Sequence, residues 1–161
     1  MSGREEAFSL IELLIVVAII LIIAAIAIPS LLRSKIAANQ ASAIESLRVI
    51  GTSEVTYAAT YGNGYSTTLA VMGPVTSGAL ATSSAAGLID DLLASGAKSG
   101  YTFIYTPTLL DSTGRYNGYT VVANPVVPGT TGQDFYYEDE THLIRMNTTA
   151  QAGSTDSCVA E

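Results

Sequence analysis

FSLIELLIVVAIILIIAAIAI, Phe8 to Ile28, is a run of 21 residues in which Glu12 is the only charge and Ser9 the only other polar side chain. At about 1.5 Å of rise per residue a helix of this length spans roughly 30 Å, the thickness of the hydrocarbon core of a bilayer. The stretch reads as a transmembrane helix. A cleaved secretory signal competes with that reading, but its apolar core is usually about 7 to 15 residues long and follows a basic start. Here the run is longer, and Met1 to Ala7 sets Arg4 beside Glu5 and Glu6.

Working outward from the run, the composition falls into place. The 161 residues are one domain's worth of chain, 48% hydrophobic and only 13% charged, about half the usual charged fraction. Fourteen acidic against seven basic side chains give a net charge of −7, which argues against a nucleic-acid-binding surface. A single cysteine excludes an intramolecular disulfide framework and any zinc site built on cysteine pairs.

A carboxylate inside a spanning helix costs a few kcal/mol and marks function unless it lies near an interface or finds a partner. Glu12 lies about one turn inside the edge of the run, so two readings stand. It is either an acid snorkelling to the interface or one that needs a positive partner. A cut after Ala7 would supply such a partner, the new amine of Phe8.

Ala7-Phe8-Ser9-Leu10-Ile11-Glu12-Leu13-Leu14, followed by the aliphatic run and Pro29, resembles the class III signal of type IV pilins and of the related pseudopilins of type II secretion. The resemblance covers roughly the first 50 residues. It implies that a prepilin peptidase cuts the Ala7–Phe8 bond and methylates the Phe8 amine, and that Glu12 pairs with the N-terminus of a neighbouring subunit during assembly. Two features depart from the family pattern: Ala7 stands where glycine is usual, and the leader has one basic residue where two or more are usual. Flanking charge, Arg4 before the run against Arg33 and Lys35 after it, weakly favours an N-terminus outside the cytoplasm. The opposite orientation, with the leader cytoplasmic, is what the resemblance implies.

Pro29 ends the apolar run. Its missing N–H leaves the carbonyl of Ala25 unpaired, and in a helix interior its ring costs about 3 kcal/mol, so the position is either a kink or a marker of the membrane exit. Helical periodicity resumes at once. Leu32, Ile36, Ala43, Leu47, Ile50 and Ala58 form an apolar stripe, with Arg33, Lys35, Gln40, Glu45 and Arg48 mostly between them. This amphipathic helix is expected to reach about Thr60, stopped by Gly62-Asn63-Gly64. The spine from Phe8 would then measure on the order of 80 Å, so its first half must be buried by lipid or by copies of itself.

Tyr65 to Gly100 is rich in Ser, Thr, Gly and Ala and reads as a connecting segment with one short helix near Gly87 to Ser95. Two stretches then share a pattern: Gly100-Tyr101-Thr102-Phe103-Ile104-Tyr105-Thr106-Pro107 and Gly118-Tyr119-Thr120-Val121-Val122-Ala123-Asn124-Pro125. Aromatic and β-branched residues bounded by Gly and Pro predict two strands of a hairpin around Asp111-Ser112-Thr113-Gly114. Phe135 to Tyr137 and Leu143 to Met146 predict a second pair. Such a sheet is marginal alone, so one face must pack on the spine helix. The fold class is therefore α+β, a long spine helix on an antiparallel sheet of about four strands, which is also the pilin fold. The division is leader 1–7, transmembrane or filament-core helix 8–28, amphipathic spine 29–60, connecting loop 61–100, sheet 101–147 and flexible polar tail 148–161.

Little points to catalysis. His142 sits beside a predicted turn with no motif that gives it a partner, and no phosphate loop or metalloprotease signature is present. Asp134, Glu138, Asp139 and Glu140 lie near predicted strand ends, where carboxylates can bind calcium, and some major pseudopilins bind calcium in their C-terminal region. The sequence has no calcium-loop spacing, and a solvated acidic turn is the alternative. Cys158 has no partner in the chain, whereas many type IV pilins close a C-terminal loop with a disulfide. The tyrosines read as core and strand-edge material, since no aromatic lies between Phe8 and Tyr57. No cofactor is expected.

The residues and the resemblance together describe the precursor of a filament subunit, a type IV pilin or alternatively a major pseudopilin. A single-span anchored binding protein that never polymerises is the other class. Implied through the resemblance are an inner-membrane precursor with its C-terminal domain outside the cytoplasm, copies of itself as the main partner, and prepilin peptidase, an assembly ATPase and an inner-membrane platform protein as machinery.

Overall fold

The computed structural model describes residues 9–159; Ala7 and Phe8 lie outside them. It divides into two compact units, one ending at Lys35 and one beginning at Ile36. A single helix, α1 (Leu10–Tyr61, 52 residues), runs through both.

In the first unit α1 is apolar around its whole circumference. Every large apolar side chain from Leu10 to Leu32 is exposed, between 44% at Leu32 and 80% at Leu10. A water-soluble domain cannot leave so much contiguous apolar surface uncovered. The segment is long and apolar enough to cross a membrane. The helix runs through Pro29 without interruption, although Pro29 has no N–H to give the Ala25 carbonyl. One turn later the Ser34 hydroxyl donates to the Ser30 carbonyl at 3.1 Å.

In the second unit the same helix is one-sided. Ala43, Leu47, Ile50, Glu54 and Tyr57, alternately four and three residues apart, are all buried. Of the expected stripe, Leu32 is exposed and Ala58 only half-buried. The helix ends one residue beyond the expected Thr60, where Gly62 takes a φ of 65° that an L side chain resists.

The connecting segment holds two short helices where one was expected, α2 (Leu69–Met72) and α3 (Asp91–Ala94). Asp90 caps α3 by accepting from the Leu93 amide at 3.0 Å. Leu69, Met72 and Leu93 are buried against α1 and the sheet in the main core.

The sheet has six strands in sequential antiparallel order: β1 (Ala97–Lys98), β2 (Tyr101–Leu110), β3 (Tyr116–Pro125), β4 (Phe135–Asp139), β5 (Arg145–Asn147) and β6 (Ser157–Cys158). The four expected strands are its centre. The two extra ones are two-residue edges, too short to carry a period-2 pattern. β6 lies in the segment expected to be a polar tail. There Asp156 accepts from Asn147 Nδ2 (3.2 Å) and from the Gly153 amide (2.8 Å), and Ala152 is buried. The β2–β3 turn is closed by Asp111, whose Oδ1 accepts from the amides of Thr113 (2.8 Å) and Arg115 (2.9 Å).

Register fixes what faces the helix. Phe103 pairs with Ala123 and Ala123 with Tyr136; one step along, Tyr105 pairs with Val121 and Val121 with Glu138. Tyr101, Phe103, Tyr119, Val121, Ala123 and Tyr136 from this face join Ala43, Leu47, Ile50 and Tyr57 of α1 in one core. Glu138 stands on the same face because strand side chains alternate and Tyr136 already points inward.

Candidate functional site

Two places in the chain hold carboxylates where apolar residues are the rule: the first turn of α1 and the interface between α1 and the sheet.

At the first turn, Ser9-Leu10-Ile11-Glu12 has the spacing of a capping box. Half of the box is formed. The Glu12 side chain accepts from the Ser9 amide at 3.0 Å, while the Glu12 amide bonds the Ser9 carbonyl at 3.1 Å. The group is exposed, and this partner is a neutral dipole.

At the interface, Glu54 takes the stripe position between Ile50 and Tyr57 and is fully buried. It accepts from the amide of Ser66 at 2.8 Å and also from the Ser66 hydroxyl, so it ties the loop after α1 back onto the helix. Tyr105 completes the tie by donating to the Ser66 carbonyl at 2.9 Å. Burial pushes the Glu54 carboxyl above its ordinary value, and the Ser66 bonds oppose that rise without cancelling it.

Glu138 reaches the same interface from β4. Its Oε1 is 3.4 Å from Tyr119 Oη and 3.5 Å from His142 Nδ1, and its Oε2 is buried with no hydrogen-bond partner among the described residues. Burial pushes this carboxyl up to about 8. Gly51 makes the arrangement possible. A Cβ there would collide with Glu138 Oε1 and stand 2.8 Å from His142 Nδ1, so the helix gives up a side chain where the carboxyl approaches. Arg48, Thr52, Val55 and Thr56 of α1, with Glu138 and His142, line an open cleft of about 430 Å³.

The four carboxylates considered for calcium are not brought together. Among the described residues there is no group of three or more His, Cys, Asp or Glu placed to hold a metal ion. Asp134 is bonded by Gln40 of α1, Asp139 closes its own turn by accepting from the Thr141 amide at 3.0 Å, and Glu138 points into the interface. Two of the four do not sit on a solvated turn, since Glu138 and Asp139 are both buried. The cause is the alternation of β4, which sends Glu138 to the helix side.

Sequence reasoning missed Glu54, Gly51 and the Tyr119–Glu138–His142 group. The spacing 47, 50, 54, 57 was a legible signal for Glu54. Within the other group the Glu138–His142 contact is local, four residues apart, but His142 meets Tyr119 only through the register of β3 and β4, which no local pattern announces.

An exposed apolar helix half, continued by an amphipathic half that packs on an antiparallel sheet, defines an α+β protein whose N-terminal helix is long and apolar enough to cross a membrane and fits a membrane anchor. Residues 3–28 match the family model for the prokaryotic N-terminal methylation motif, which is the class III prepilin signal. The match is confined to these 26 of the 161 residues and supports, for that segment, a prepilin-type precursor of the kind shared by type IV pilins and pseudopilins. No curated protein and no solved structure matches the chain.

Proposed function

We propose that the chain is the precursor of a type IV pilin. It is cut between Ala7 and Phe8, methylated on the Phe8 amine, and held in the inner membrane by residues 8–28 with its C-terminal domain outside the cytoplasm. An assembly ATPase and an inner-membrane platform protein then stack it into a filament. The observation that carries this reading is the methylation motif running directly into a helix half whose apolar side chains are exposed on every side.

The physics of assembly follows from that surface. Each Å² of apolar area moved from lipid or water into a helix bundle gains packing, and relative to water about 25 cal/mol. Apolar contact alone does not define a register, because aliphatic side chains are interchangeable. Glu12 does. Among the described residues of one chain its partner is the Ser9 amide, whereas cleavage at Phe8 creates a cation one residue before that amide. A neighbour's amine opposite Glu12 neutralises the pair, and a subunit out of register leaves a buried carboxylate unpaired at a cost of several kcal/mol. Pro29, which removes one helical hydrogen bond, is the place where α1 bends or loosens during packing.

Mass analysis of the N-terminus of the membrane-extracted protein tests the processing step. A chain starting at methylated Phe8 supports it, and an intact Met1 defeats it. Electron microscopy of cells with an antibody against the C-terminal domain then tests the pilus. External fibres carrying the label support it, whereas processed protein without external fibres would identify a periplasmic pseudopilin instead.

A further inference from the structure

Three polar atoms from three different places in the sequence meet at the α1–sheet interface with an unusual regularity. Tyr119 Oη lies 3.4 Å from Glu138 Oε1 and 3.4 Å from His142 Nδ1, and these two lie 3.5 Å apart. The triangle is equilateral within 0.1 Å. Its edges are long for hydrogen bonds between such groups, whose usual lengths are about 2.7 to 3.0 Å. They match the edge length of a tetrahedral coordination polyhedron, in which atoms about 2.1 Å from the ion stand about 3.4 Å from one another.

We propose that Tyr119, Glu138 and His142 form a binding site for a first-row transition-metal dication of the zinc type, with the fourth position filled by water from the cleft.

Four observations bear on this. The imidazole with two oxygen donors suits zinc and its neighbours, whereas calcium wants six to eight oxygens and would find too few here. Glu138 is almost wholly buried and its Oε2 has no hydrogen-bond partner among the described residues, so the carboxyl is not fully satisfied by the side chains around it. The Gly51 position leaves room against two of the three donor atoms, where any other residue would put a Cβ. The group is also reachable, since Glu138 and His142 line the open cleft and the His142 side chain is 42% exposed.

His142 adds a local signal. Its backbone φ of 58° places a non-glycine residue in the left-handed region, held by its amide donating to the Asp139 carbonyl at 2.9 Å. That turn conformation brings the imidazole back over Glu138, four residues earlier. The remaining charged groups nearby are Glu54 and Asp139, whose negative charges favour a cation, and Arg48 on the cleft rim, which already contacts Glu45 at 3.9 Å. On binding, Glu138 coordinates as the carboxylate and releases its proton to solvent, and Tyr119 coordinates through its phenol oxygen. The ion would clamp β3, β4 and the β4–β5 turn together directly beneath α1.

Calorimetric titration of Zn²⁺ into the full chain, extracted as subunits in detergent micelles, tests the site. One ion per chain is expected, with a rise in the melting temperature of the sheet-bearing unit. His142→Asn keeps a residue that tolerates positive φ but removes the imidazole, and is expected to weaken binding by more than about a hundredfold. Tyr119→Phe keeps the core ring and is expected to weaken it by at least about tenfold. Co²⁺ in place of Zn²⁺ should give the intense visible absorption of a four-coordinate ion. No Zn²⁺ binding at millimolar concentration overturns the proposal, as does unchanged affinity in the folded His142→Asn variant or the weak spectrum of six-coordinate cobalt.

Discussion

The two halves of α1 share a backbone and very little else. Before Lys35 the helix shows apolar side chains in every direction and none of them is buried; after Ile36 it buries one stripe and exposes the rest. Each half contains a glutamate that ought not to be there by composition. Glu12 is exposed and, among the described residues, bonds a backbone amide one turn away, whereas Glu54 is buried and holds both donors of Ser66. Among the described residues the first acid meets one backbone amide of its own turn; the second is tied to the loop after α1. A carboxylate on a helix is thus a tie to whatever covers it, and the covering material differs between the halves.

Breaking the tie at the first half has the largest expected effect. Glu12→Ala should leave the protein at its normal level in the membrane fraction and lower the yield of sheared filaments by at least about tenfold, read by immunoblot of both fractions. Normal filament yield would remove Glu12 from the assembly mechanism.

Breaking the second half should do the reverse. Leu47→Ala is expected to cost about 2 to 5 kcal/mol in the stability of the sheet-bearing unit, measured by urea unfolding, with membrane insertion unchanged. Glu54→Ala strands the Ser66 amide and hydroxyl and should cost about 1 to 3 kcal/mol. Its pH signature is separable. Because the Glu54 carboxyl is held above its ordinary 4.5 in the folded state, the folded chain binds this proton more tightly than the unfolded one. That contribution is complete below pH 4.5 and is lost as the pH rises through the folded value. Glu54→Gln should therefore flatten the decline of unfolding free energy with rising pH, and an unchanged slope would show that Glu54 is not a source of it.

Smaller effects sharpen the comparison. In an open helix Gly→Ala stabilises by up to about 1 kcal/mol. At Gly51 the added Cβ meets Glu138 and His142, so Gly51→Ala should instead destabilise by about 1 to 3 kcal/mol in denaturant unfolding. Asp90→Ala removes the cap of α3 and should cost about 1 kcal/mol, visible as faster amide exchange at Leu93.

The sequence was most legible where a signal is local and long. The apolar run, the helix end at Gly62 and the paired Gly-Tyr-Thr strands could be read directly, since each is a property of neighbouring residues, whereas Pro29 lies inside α1 and marks no boundary there. The two edge strands and α2 could not, because two to four residues carry no measurable period. Glu54 stood in plain sight in the spacing 47, 50, 54, 57, but an acid in an apolar stripe reads as a break in the stripe until Ser66 is seen to receive it.

By itself the sequence determined that this chain carries a membrane-length helix with one acid near its start, a methylation motif around Ala7–Phe8 and a small antiparallel sheet. The helix and the sheet follow from composition and periodicity, which act over a few turns or a few strand residues, while the motif is a matter of resemblance. Only the tertiary structure decided that Glu138 faces the helix, that Gly51 makes room for it and that His142 and Tyr119 join it. Those meetings depend on strand register and helix packing, and no local preference encodes a contact between residues 51, 119, 138 and 142.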